Sequence, residues 1–336
     1  MKKILAILTV AAMITGMAAC AAKEPAGLES QPAAEDAQGT VEEEKAEEPK
    51  EKIRIAASFM SLNNPFWIAE NDVLKAEIES RGGELVTYDA QLNAEKQIQQ
   101  IEDAVASGVD AVIVSPNDWK GIKPALEACN AKEVPVVVID TKVFDGDLVA
   151  TQVVSDNVLG GKLCAQALVE ALGGKGNIAI IDLSTNMAVQ DRMEGFMSVI
   201  KEYPDMKIVA QQDGDGSVEA ALPLMENMLQ ANEQIDAVFG TNDPAAIGAI
   251  AALDSANKID GTYVVGIDGA KDACELIKSG KLLGTAAQYP SLLAMEVVNQ
   301  VYNILDGNEP EEDIIYIEEQ WVNQENVEEY EQKNAY

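Results

Sequence analysis

The chain contains no histidine. That absence removes the commonest general base at neutral pH, every Ser-His-Asp and Cys-His arrangement, and the usual zinc sites. Cysteine is scarce, with four in 336 residues. Cys20 stands alone near the start. Cys129, Cys164 and Cys274 fall among Ala and Leu at helical spacing, with no CxxC pair and no metal-ligand spacing between them. Buried free thiols are the expectation. Positive charge is short as well, 24 Lys and Arg against 57 Asp and Glu, for a formal net charge of −33. Most of that excess lies beyond residue 51, so the folded part is itself acidic and repels phosphate backbones and anionic lipid. Nucleic-acid binding is not expected. The Gly-Lys pairs in "GGKLC" and "GGKGN" lack P-loop spacing and its following Ser or Thr. The segment "DGDGS" at Asp213 begins like a calcium loop, yet Leu224 stands where the bidentate glutamate belongs. No catalytic residue, cofactor or metal ligand is expected, and the chain reads as a protein that is not an enzyme.

What is present begins with an address. "MKKILAILTVAAMITGMAAC" opens on Lys2 and Lys3, runs through an apolar stretch short for a membrane span, and closes on small residues, which reads as a signal peptide over residues 1–19. Its end, Met17-Ala18-Ala19-Cys20, resembles the lipobox of bacterial lipoproteins, which implies lipidation of Cys20. Residues 20–51 are then a lipidated cysteine and an acidic, disordered tether rich in Glu, Ala, Pro, Gln and Lys, with almost nothing large and apolar to bury.

From residue 52 the pattern is regular. "IRIAASFM", "GELVTYDA", "AVIVSP" and "PVVVIDT" are short β-rich runs separated by helical stretches, the signature of βαβ units. The alternation restarts with "NIAIIDL", "KIVAQQDG", "AVFGTND", "YVVGIDGA" and "LLGTAAQYP". The fold class is therefore α/β, with two doubly wound, parallel-sheet, Rossmann-like domains. Ligands of such sheets sit outside the carboxyl ends of the strands. The residues there are Asn64, Phe66 and Trp67 after the first run, then Asp140 and Thr141, Asn242 and Asp243, Asp268, and Gln288. They offer carboxylate acceptors, amides and flat apolar walls, the set a neutral polyhydroxyl ligand requires. Several also have a local reading: Asn64 as the cap of a helix that starts at Pro65, Asp243 and Asp268 as caps, Phe66 and Trp67 as core, and Arg192 as a surface partner of Asp191 or Glu194.

The strings "LNNPFW", "PVVVID", "SDNVLGGK", "DRMEGF", "AVFGTNDPAAIGA", "VVGIDG" and "AAQYP" resemble, in order, the type I periplasmic sugar-binding proteins of ABC importers, nearest the ribose-binding branch. The resemblance spans nearly everything from residue 52 onward. It implies that Asn64 and Gln288 hydrogen-bond a sugar and that Phe66 and Trp67 form an aromatic wall. It likewise implies that Asp140, Asn242 and Asp268 hold hydroxyls and that Arg192 joins them from the second domain. Two positions depart from the ribose pattern. Thr141 stands where those proteins carry an arginine, and Gly216 stands where they bring an aromatic from the far domain, which predicts a roomier, less cationic pocket.

The domains implied are 52–155 with 290–317 and 156–289 with 318–336, joined by three crossovers near Ser155, Gln288 and "IIYIEE". The expected function is an extracytoplasmic lipoprotein on the outer face of the cytoplasmic membrane, or a periplasmic protein. It is a monomer held to the membrane only by lipid, captures a neutral sugar or polyol by domain closure, and passes it to ABC permease subunits. A sugar-sensing lipoprotein that signals to a chemoreceptor or sensor kinase is the alternative.

Overall fold

The computed structural model of the protein describes residues 52–310 and 312–334. The signal segment, Cys20 and the acidic tether lie outside the described residues. In the first strand, β1 (Arg54–Phe59), Ile55, Ala57 and Phe59 turn to one apolar cluster and Ala56 to another. A strand apolar on both faces belongs inside a parallel sheet covered by helices on each side. Strands β2 (Glu84–Asp89), β3 (Ala111–Val114), β4 (Val136–Asp140) and β5 (Thr151–Ser155) alternate with helices α1 (Pro65–Ser80), α2 (Ala94–Ala106) and α3 (Lys123–Asn130). With β11 (Ile314–Ile317) added at one edge, the sheet order is β11-β5-β4-β3-β1-β2, parallel throughout.

The second sheet repeats the scheme. After α4 (Asn157–Leu172) come β6 (Gly176–Asp182), α5 (Met187–Ile200), β7 (Met206–Asp213), α6 (Val218–Ala231), β8 (Ala237–Gly240), α7 (Asp243–Ser255), β9 (Tyr263–Asp268), α8 (Lys271–Lys278) and β10 (Gly284–Ala287). The order is β12-β10-β9-β8-β6-β7 once β12 (Gln320–Asn323) is included, and β12 alone runs antiparallel to its neighbour. Helix α9 (Pro290–Leu305) returns to the first sheet, packing Leu293, Val297 and Val301 into its core, while α10 (Val327–Asn334) places Val327 and Tyr330 against the second. The chain thus passes between the sheets three times: after β5, between β10 and α9, and through Glu318 and Glu319 between β11 and β12.

Two glycines fix how α4 lies on α5. A Cβ on Gly161 would fall 1.9 Å from the Arg192 carbonyl oxygen, and one on Gly195 would fall 2.0 Å from the Val158 carbonyl oxygen. The helices therefore touch backbone to backbone, which gives the glycines of "LGGK" and "MEGF" a packing reason. That approach brings Arg192 to the carboxyl edge of the sheet. The three described cysteines are free and buried. Burial pushes the Cys129 and Cys274 thiols up to about 12, so neither is a ready nucleophile.

Candidate functional site

The carboxyl ends of both sheets face one pocket. Asn64, Phe66, Trp67 and Asp140 enter from the first sheet, Arg192, Asn242 and Asp268 from the second, and Gln288 from the crossover between β10 and α9. Leu183, Asn186, Ala188 and Val189 complete the wall.

At its first-sheet side, Asn64 is both cap and wall. Its side-chain oxygen accepts from the Phe66 amide at 2.9 Å, Pro65 takes the first helical position, and Phe66 packs into the core. Trp67 stays half-buried, and its Nε1 donates to Asp140 Oδ2 at 3.2 Å. Ser115 donates to the same oxygen at 3.4 Å. Asp140 is buried at the end of β4 with φ 72°, and Asp268 is buried at the end of β9 with φ 144°. Both lie where L residues with a side chain are strained, so the two halves hold their strand-end aspartates in the same unfavourable kind of backbone. Such conformations persist where surrounding structure fixes them, most often at ligand sites.

Asp268 is the centre of the second-sheet side. Gln288 Nε2 donates to its Oδ1 at 2.8 Å, the Asp243 amide donates to Oδ2 at 3.4 Å, and Arg192 NH1 lies 3.8 Å from Oδ1. Burial, partly offset by the Arg192 charge, raises its carboxyl to about 8. Burial raises Asp140 too, against the same arginine and the bonds from Trp67 and Ser115. Arg192 is buried, donating to Asn157 Oδ1 and to the Thr241 carbonyl, both at 2.7 Å, so the surface-partner reading fails. Among the described residues, Gln288 Oε1 is a buried acceptor on this wall with no protein donor. A pocket so built offers acceptors and amides around one committed cation.

Two local readings shift. Asn242, not Asp243, caps α7, accepting from the Ala245 amide at 2.9 Å and donating to the Gly216 carbonyl at 2.9 Å. Asp243 sits one residue inside the helix, buried, and accepts from the Gly269 and Ala270 amides and the Thr285 hydroxyl. Asp268 caps no helix, because α8 starts at Lys271 with Ala270 as its N-cap and no side-chain cap bond. Thr141 does not line the pocket. It is wholly buried, its hydroxyl donating to Asn186 Oδ1 at 3.2 Å and accepting from the Ala188 amide at 2.9 Å, which ties the first sheet to α5. Next to it Lys142 pairs with Asp191 at 2.6 Å across the same seam.

Sequence reading missed Leu183, Asn186, Ala188 and Val189. They follow β6 directly, so the strand-end rule applied to "NIAIID" would have found them. In this conformation the side chains leave about 30 Å³ of room at the pocket's centre, enough for a water or two and too little for a sugar ring.

The profile of the family described as periplasmic binding protein domain matches residues 55–309. The ribose import binding protein of Bacillus subtilis is 35% identical over 266 residues, which is 79% of this chain and 86% of that one. A solute binding protein of Bacillus halodurans, solved with bound myo-inositol, superposes with a TM-score of 0.80 at 31% identity, covering 84% of this chain and 98% of that one. One from Actinobacillus succinogenes with bound D-allose gives 0.77 at 29%, covering 83% and 100%.

Proposed function

Since the chain belongs to the periplasmic binding protein family, whose members are extracytoplasmic substrate-binding proteins of ABC transporters and not enzymes, we propose that it captures a neutral monosaccharide or polyol for an ABC importer. One observation carries the reading: eight polar or aromatic side chains converge on one pocket whose buried acceptor Gln288 Oε1 has no donor among the described residues, which a sugar hydroxyl would supply. In this reading residues 52–155 with 290–317 form one lobe and 156–289 with 318–336 the other. The three crossovers act as hinge. A ring needs more than the room now at the centre, so the lobes part to admit it and close on contacts made to both.

The charge balance sets the ligand class. Asp140 and Asp268 face the pocket, and Arg192 is already shared among Asn157, Thr241 and Asp268. A sugar acid or phosphate would meet acidic side chains with no spare cation. Calorimetry with ribose, galactose, glucose, allose, fructose and myo-inositol tests the reading. We expect a hexose or cyclic polyol to bind more tightly than ribose, because Thr141 brings no cation to the pocket and Gly216 no side chain. Ribose as the tightest of the six would overturn that argument.

The reading also includes a lipid anchor at Cys20, supported by the lipobox-like sequence before it. Cys20→Ala should move the exported protein from the membrane to the soluble fraction on cell fractionation. A variant that stays membrane-bound without lipid would remove the anchor from the reading.

A further inference from the structure

Polar contacts between the two halves gather on one seam, and it starts at the strained residue that ends β4. Asp140 has φ 72°, and the Thr141 amide donates back to the Ile139 carbonyl at 2.9 Å, closing a tight three-residue turn. The turn leaves Asp140 on the pocket and sends its two successors to α5. There the Thr141 hydroxyl accepts from the Ala188 amide at 2.9 Å and donates to Asn186 Oδ1 at 3.2 Å. Asn186 is the N-cap of α5 and also accepts from the Val189 amide at 3.2 Å. First-turn amides have no acceptor within their own helix. Thr141 therefore completes, from the first sheet, a cap that Asn186 begins on the second. Lys142 pairs with Asp191 at 2.6 Å beside it, the two side chains 18% and 7% exposed, so little water reaches the pair.

Helix α5 passes these contacts to the rest of its half, because its backbone lies against α4 at Gly161 and Gly195. Elsewhere the halves stand off. About 540 Å³ of room separates Asn63, Trp67 and Leu92 of one from Ser217, Ile247 and Lys271 of the other, so the arrangement is not one of contact all round. Thr141, Lys142 and Asp191 do not line the polar pocket, and their bonds form with no ligand taking part.

We propose that Thr141 and Lys142 are positioning residues that hold a share of the ligand-free protein closed, and that sugar affinity scales with that share. A ligand that requires the closed arrangement binds with its intrinsic affinity reduced by the fraction of protein already in it. The affinity half of the inference rests on the pocket being a sugar site; the ligand-free half does not. Spin labels on Asp103→Cys of α2 and Glu226→Cys of α6, exposed positions on the two halves, report the opening by double electron–electron resonance in a Cys20→Ala background, since the described cysteines are buried. Without sugar, two distances are expected. The shorter population should fall at least threefold in Thr141→Val, which leaves the buried Ala188 amide without an acceptor, and in Lys142→Met, which leaves Asp191 without its cation. Thr141→Ser, which keeps the hydroxyl, should restore it. Calorimetry with the best of the six sugars should show affinity falling by the same factor in both variants, with the order of the six unchanged. A ligand-free protein that is only open, a closed share that neither variant lowers, or an affinity that holds while the closed share falls would overturn the inference and leave the sugar site standing. No binding by any of the six overturns the site reading and the affinity half with it, while the ligand-free distances still decide the latch.

Discussion

Asp268→Ala should weaken binding of the best sugar ligand by at least a hundredfold, about 3 kcal/mol, with the fold retained. The side chain is buried, faces the pocket, and is held by Gln288 Nε2 and the Asp243 amide. A hydrogen bond from a ligand hydroxyl to such a group contributes about 1.5–3 kcal/mol, and two are expected here. The substitution also frees Arg192 and Gln288 from their shared partner, which adds to the loss. Asp268→Asn keeps the shape but puts a donor amide where one acceptor oxygen stood, so its effect should be intermediate. Calorimetry with circular dichroism as the folding control reads both variants. A folded Ala variant with unchanged affinity would reduce Asp268 to structural packing.

Glu70→Leu should stabilise the protein by about 1–3 kcal/mol at neutral pH, the cost of a buried polar group left unsatisfied. Glu70 sits on the stripe Phe66, Glu70, Leu74, Ile78 by which α1 faces its sheet, wholly buried, and neither carboxylate oxygen has a partner among the described residues. Burial, with the charges of Asp140 and Asp268 behind it, raises its carboxyl well above the ordinary glutamate range. The sign follows. Below the unfolded glutamate pKa, about 4.3, the group is neutral in both states; above it the unfolded chain ionises while the folded one resists, so stability falls as pH rises toward the folded value. The gain from leucine should therefore be smallest near pH 4.5 and grow through pH 8. Urea midpoints of both proteins across that range measure it. A gain independent of pH, or a destabilised variant, would show that Glu70 has a partner in solution.

Much of this molecule was legible in its sequence because the signals were local. Apolar runs of four to six residues between capped helices fixed both sheets. The edge strands β11 and β12 were harder: they are four residues each and half-exposed, so they carry weak alternation, and β12 runs against its neighbour. Strand-end position brought seven of the expected ligand residues to one pocket, and the family resemblance added Arg192 from α5. Thr141 escaped the rule because its hydroxyl turns to α5, a contact made by a helix 46 residues further on, which no local pattern encodes. Glu70 and Glu319 were invisible for a plainer reason. Glu70 occupies a buried position where helical periodicity predicts an apolar residue, and Glu319 is buried in the connector between β11 and β12, where no periodicity operates.

The three passages between the sheets also constrain the order in which the protein can assemble. Strand β11 closes the edge of the first sheet beside β5, and three residues later β12 closes the edge of the second beside β10. Between them Glu319 is buried. Neither half can complete its hydrogen-bonded edge until residues 314–323 have been made. A nascent chain lacking them keeps two open strand edges and long-range contacts unmade, a state slow to fold. The two halves therefore cannot finish folding one after the other, since both wait for the same ten residues, 314–323.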